Sequence, residues 1–126
     1  MRNAAVQIRD LCYSYDDIPV LTDVHLDIFP GDTASIVGPN GGGKTTLIKV
    51  ILGLANPDKG TVLVYGNAPV QERTRIGYVP QFARYDPNFP ISVLEVVCMG
   101  RIGNSLSGHY TRHDKDVALE LYMPLI

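Results

Sequence analysis

The run IVGPNGGGKTTLIKVILGL, from Ile36 to Leu54, constrains this chain more than any other stretch. Gly38, Gly43, Lys44 and Thr45 occupy the fixed positions of a GxxxxGKT pattern that Thr46 completes, the pattern of a nucleoside-triphosphate phosphate loop. The chemistry asks for these residue types. Glycines at 41, 42 and 43 let backbone N–H groups curl around an anion with no Cβ in the way. Lys44 reaches the outer phosphates as a point charge, and the Thr45 hydroxyl suits Mg²⁺, a cation of hard oxygen ligands. Thr33 to Val37 (TASIV) reads as a short strand and Thr45 to Leu52 as a helix, so phosphates would meet unpaired N–H groups at a helix N-terminus. Strand, loop and helix in that order separate a nucleotide loop from an ordinary glycine-rich turn that carries a lysine.

Upstream, Ala4 to Leu11 alternates as a strand with Val6, Ile8 and Leu11 toward one face, and CYSYDDIP follows as a loop or turn into a second strand. Tyr13 and Tyr15 in that loop either pack or stack flat on a purine. Asp23 to Phe29 alternates again, with Val24, Leu26 and Ile28 opposite His25 and Asp27, which makes His25 a surface residue. Pro30-Gly31 is a turn, and a tight turn joining this strand to TASIV predicts an antiparallel hairpin. The helix LIKVILGL is apolar on nearly every side except Lys49, which predicts packing against sheet on more than one face. Downstream, TVLVY (Thr61 to Tyr65) is a strand closed by Gly66-Asn67, Arg73 to Arg75 lie in a polar link, and Ile76 to Val79 form a short strand before Pro80-Gln81. Gln81 is either a solvated loop residue or a group that orients a water or joins a Mg²⁺ shell. FARYDPNFP is irregular, Ser92 with Glu95 is a capping-box signature, and Thr111 with Asp114 opens a last helix to about Met123.

At 126 residues the chain is one domain by size, and its net charge of -2 indicates no nucleic-acid groove. Cys12 and Cys98 form no CxxC and read as small buried thiols. The start MRNAAVQIRD has no apolar leader core, and every apolar run breaks before the roughly 18 residues a spanning helix needs. A cytoplasmic location is expected, with any membrane association made through a protein partner.

These residues together resemble the ATP-binding subunit of an ABC transporter. The likeness rests on GPNGGGKTTLIKVILGL, on YSY ahead of the VHLDI strand, and on IGYVPQ. RIGYVPQ, DPNFPISVLEVVCMGR and the following RIG narrow it to subunits of zinc, manganese or iron importers. The resemblance implies an α/β fold: a P-loop NTPase core with an antiparallel β subdomain over residues 1–90, then the start of a helical subdomain over 91–126. It implies ATP and Mg²⁺ as ligands. Tyr15 matches the aromatic that stacks on adenine; Gly38, Pro39, Asn40, Gly41, Gly42, Gly43, Lys44, Thr45 and Thr46 match the phosphate loop, with Gly42 where the family commonly has alanine. Lys44 and Gln81 take the catalytic roles, and Thr45 and Gln81 the metal.

The implied partners are a membrane permease received on Tyr85 to Arg101, a second ATP-binding subunit in a sandwich dimer, and an extracytoplasmic metal-binding protein. The implied place is the cytoplasmic face of the membrane. An ABC ATPase for another substrate, and a non-catalytic nucleotide- or permease-binding fragment, are the alternatives.

The family also needs an LSGGQ-type signature, an apolar strand ending in Asp followed by a catalytic Glu, and a switch histidine, and none is found in the sequence. Leu106-Ser107-Gly108-His109 follows the glutamine too soon and has His109 in place of the second glycine. Neither His109 nor His113 ends a strand, and Glu95 lies inside a capped helix. The expectation is a truncated subunit that holds the binding half of the machinery, with weak or no ATP binding and essentially no hydrolysis.

Overall fold

β1 (Val6–Tyr15) is the middle strand of a three-stranded antiparallel sheet, flanked by β2 (Ile18–Ile28) and β3 (Lys59–Val64). This is seen in a computed structural model that describes residues 3–81, 86, 88–101 and 109–122. Strict alternation would send Ile8 and Leu11 to opposite faces, yet both are fully buried. A bulge supplies the missing residue: the β1–β2 register shifts between Ile8 and Leu11, and Asp10 adopts φ 50°. On β2, Asp23 also adopts φ 50°, and Leu21, Val24 and Leu26 all reach the same core. Gly60 of β3 (φ 86°) lies against the β1 bulge, where a Cβ would run into the backbone of Arg9 and Asp10. Glycine is required there on both counts.

At CYSYDDIP the turn alternative holds, and the turn into a second strand is tight. β1 continues through Tyr15, and the reversal narrows to Asp16-Asp17 with φ 46° and 64°, the left-handed pair a two-residue hairpin turn demands and aspartate tolerates. The antiparallel hairpin is therefore β1–β2, not a pairing of Asp23–Phe29 with TASIV. The Pro30-Gly31 turn does form, with the Asp32 N–H donating to the Phe29 carbonyl at 3.0 Å and Gly31 at φ 89°. Thr33 to Val37 beyond it joins no ladder, and Val37 is 92% exposed. Ile76 to Val79 is likewise not a strand. Both segments have strand composition, but a strand exists only where neighbouring backbone pairs with it, and no described residue does so here.

The chain divides into two compact units, Met1–Ile76 and Gly77–Ile126. In the first, α1 (Lys44–Ile51) lays one face on the sheet: Thr46, Leu47 and Val50 are buried, while Thr45 and Lys49 are exposed. The core joins Ile8, Leu11, Leu21, Leu47, Val50 and Val62. Packing on more than one face, as expected for so apolar a helix, is not realised among the described residues. The β3 strand closes in a Tyr65-Gly66 turn (φ 48° and 82°), with Val64 and Asn67 exchanging backbone hydrogen bonds at 2.8 and 3.0 Å. Where a polar link was expected, Pro69–Arg75 is a 3₁₀ helix. It is tied down because Asn67 donates to Glu72 at 2.7 Å, Arg75 bridges to Glu72 at 3.1 Å and stacks 3.9 Å over the Tyr65 ring, and Arg73 donates to the Gly53 carbonyl.

The second unit contains α2 (Val93–Met99) and α3 (Arg112–Tyr122). Ser92 and Glu95 form the full capping box at the start of α2. Thr111 and Asp114 form its aspartate counterpart on α3: the Thr111 N–H and hydroxyl donate to Asp114 at 2.9 and 2.6 Å, and the Asp114 N–H donates back at 3.2 Å. Arg101 adds an ion pair to Asp114 at 2.6 Å. Cys98 is buried as expected, whereas Cys12 is only half-buried and its sulfur accepts from the Asp23 N–H at 3.5 Å. No helix among the described residues is long and apolar enough to cross a membrane.

Candidate functional site

The loop from Gly38 to Gly43 enters α1 through a left-handed residue, Gly43 at φ 80°, and Gly41 is left-handed as well at φ 81°. The Gly42 N–H donates to the Pro39 carbonyl at 3.1 Å, which closes the loop into a tight curl. A Cβ at Gly42 would lie 3.0 Å from that carbonyl, so an alanine fits if the loop yields by a few tenths of an ångström. Gly43 allows much less. Its Cβ would meet a Leu21 methyl at 2.8 Å and the Val20 carbonyl at 3.0 Å, so the end of the loop is seated directly on β2.

No side chain caps α1 and its first turn contains no acid. The free N–H groups and the positive end of the helix dipole are therefore left for an external anion. The Lys44 ammonium folds back on the loop, donating to the Gly38 and Pro39 carbonyls at 2.7 and 2.5 Å, which places its charge in the curl. Asn40 and Thr45 are exposed, and Thr46 is buried against the sheet side of α1.

Tyr15, at the end of β1, is 44% exposed and stands beside α1. The Thr46 hydroxyl, then Tyr13, hold its phenol below the usual value by hydrogen bonding, and Lys49 acts the same way against the opposing effect of burial. Tyr13 is shifted upward, first by burial and then by Tyr15. The two rings meet edge to face, with centroids 4.9 Å apart and planes at 76°. Of the residues expected to form the site, the first unit thus brings together Tyr15 and the loop Gly38 to Thr46. Gln81 belongs to the second unit, where it is exposed at a bend. Tyr85 and most of Leu106 to His109 lie outside the described residues. Sequence reasoning missed the Val20–Leu21 seat, and it read Tyr13 as packing or stacking without the i, i+2 link to Tyr15 that a continuous β1 creates.

Comparison with known proteins agrees with this geometry. Residues 21–121 match the family profile described as ABC transporter, and the chain belongs to that family. It is 47% identical over 98 residues to the manganese transport system ATP-binding protein MntB of Bacillus subtilis, a match covering 78% of this chain and 39% of that protein. It is 46% identical over 100 residues to the zinc transport system ATP-binding protein TroB of Treponema pallidum, covering 79% and 38%. A solved structure of an ATP binding subunit of an ABC transporter superposes with TM-score 0.70 at 27% identity, covering 82% of this chain and 44% of that one. The chain thus spans about two-fifths of the length of these curated relatives.

Proposed function

We propose that this chain supplies the phosphate-binding half of the ATP site in a subunit that energises import of a divalent metal ion such as zinc or manganese. One observation carries the nucleotide part. An uncapped helix start, a curl closed by glycines and the Lys44 ammonium converge on one small volume. The triphosphate lies in that curl, where backbone N–H groups and Lys44 neutralise its charge, and the base rests on Tyr15. The exposed Thr45 hydroxyl is a hard donor suited to Mg²⁺, and the ion would neutralise phosphate charge. The metal-import part is supported by the names of the manganese and zinc relatives.

The partners are a permease docking on Tyr85 to Arg101, a second ATP-binding subunit and an extracytoplasmic metal-binding protein, and this subunit itself works at the cytoplasmic face of the membrane. Weak ATP binding and essentially no hydrolysis are expected of the 126-residue chain. Titration with Mg·ATP should give saturable shifts in the Gly41 to Thr46 amides. Lys44→Ala should weaken binding by about tenfold or more, the scale of losing a hydrogen bond to a charged group. Sustained Lys44-dependent hydrolysis, or shifts that ignore Lys44, would overturn the proposal. Genes for a permease and a metal-binding protein beside this coding sequence would bear on the cargo.

A further inference from the structure

The geometry points to Tyr13 as a positioning residue for base recognition, which sets the ring plane of Tyr15 so that a purine is received in register with the phosphate loop. This deepens the nucleotide reading and rests on it. β1 places the two side chains on one face, two residues apart, and their rings meet edge to face at 4.9 Å and 76°. Tyr13 is packed against the core formed by Ile8, Leu11 and Leu21, so it is the fixed member of the pair. Tyr15 is the more exposed one.

In an edge-to-face pair Tyr13 covers at most one face of Tyr15, which leaves the other for a base. The free ring would otherwise turn about two side-chain dihedrals, and a stacking platform that must first be ordered binds more weakly. Hydrogen bonding by Thr46, in the first turn of α1, holds the Tyr15 phenol below its usual value and sets the base platform beside the helix that follows the phosphate loop. Tyr13 touches no part of the nucleotide in this arrangement. Its effect is confined to the base.

The test separates base from phosphate by titrating the 126-residue chain with Mg·ATP and, in parallel, with Mg·tripolyphosphate, using NMR shifts at millimolar ligand. Tyr13→Leu should weaken ATP by about two- to tenfold, the range of one lost aromatic pair, and leave tripolyphosphate within about twofold. Tyr13→Phe, which keeps the ring, should restore ATP affinity. Equal weakening of both ligands would mean that Tyr13 acts only through the fold, and unchanged ATP affinity in Tyr13→Leu would mean that it does nothing; either overturns the inference. If Tyr13→Leu fails to fold, the unaltered chain decides. A ring-to-ring NOE between Tyr13 and Tyr15 must persist at saturating ATP, and its absence overturns the inference. Tripolyphosphate binding without ATP preference, and without any effect of Tyr15→Ala, overturns base stacking alone and this inference with it. Absence of all Lys44-dependent binding overturns the nucleotide reading as well.

Discussion

Val64 and Val37 are the same residue type in two segments of similar apolar character, and they finish at 2% and 92% exposure. Val64 lies in β3, paired with Val6 of β1, and is buried there. Val37 lies in TASIV, immediately before the phosphate loop, where no described backbone pairs with it. The difference is not propensity. β-branched composition describes a side chain that fits a pleated, half-buried surface, and the surface has to be provided by something else. β1 provides it for β2 and β3, and nothing described provides it for Thr33 to Val37 or for Ile76 to Val79.

Five substitutions test how deep that contrast runs. The largest effect is expected at Leu11, fully buried beside the β1 bulge: Leu11→Ala should cost about 2–5 kcal/mol in denaturant unfolding of the first unit. A loss under about 1 kcal/mol would mean the core is looser than the contacts imply. Val64→Ala follows, at about 1.5–3 kcal/mol for a buried valine.

Thr111→Ala, which removes a cap from the second unit, should cost about 1 kcal/mol and be read as lost α3 helicity by circular dichroism. The same helix should respond to acid. Thr111 first, and then Arg101, hold the Asp114 carboxyl well below the usual carboxylate range. A depressed pKa contributes stability that is fully present above the unfolded aspartate value of about 3.9 and is lost as pH falls below it. Helicity of α3 should therefore hold to about pH 4 and decline on further acidification, and Asp114→Asn should lower it at neutral pH and flatten the decline. The smallest effect belongs to Val37→Ala, within about 0.5 kcal/mol, as for any exposed site. A cost matching that of Val64→Ala would show TASIV to be packed in solution and erase the contrast.

What was legible in the sequence follows the same line. Both capping boxes were readable because their partners are three residues apart, and the turn at Pro30-Gly31 because φ is set by the residues themselves. The phosphate loop was readable for the same reason: Gly41, Gly43 and Lys44 act on backbone within a few positions of themselves. The bulges at Asp10 and Asp23 were not. Strict alternation sends Leu11 to the face opposite Ile8, and the residue that accommodates the bulge, Gly60, is about 50 positions away in the chain. The polar stretch Arg73 to Arg75 likewise became a tethered 3₁₀ helix through contacts to Gly53, Tyr65 and Asn67 that no local pattern encodes.

The sequence by itself determined the chemistry of the anion curl, the capped helices and the family to which they belong, because each rests on neighbours along the chain. Tertiary structure alone decided which strand-like segments became strands, that β1 pairs with both β2 and β3, and that Tyr13, Tyr15 and Thr46 meet at one edge of α1. Those outcomes depend on backbone partners and burial supplied from distant positions, and a hydrogen-bond ladder has no stability until both of its sides are present.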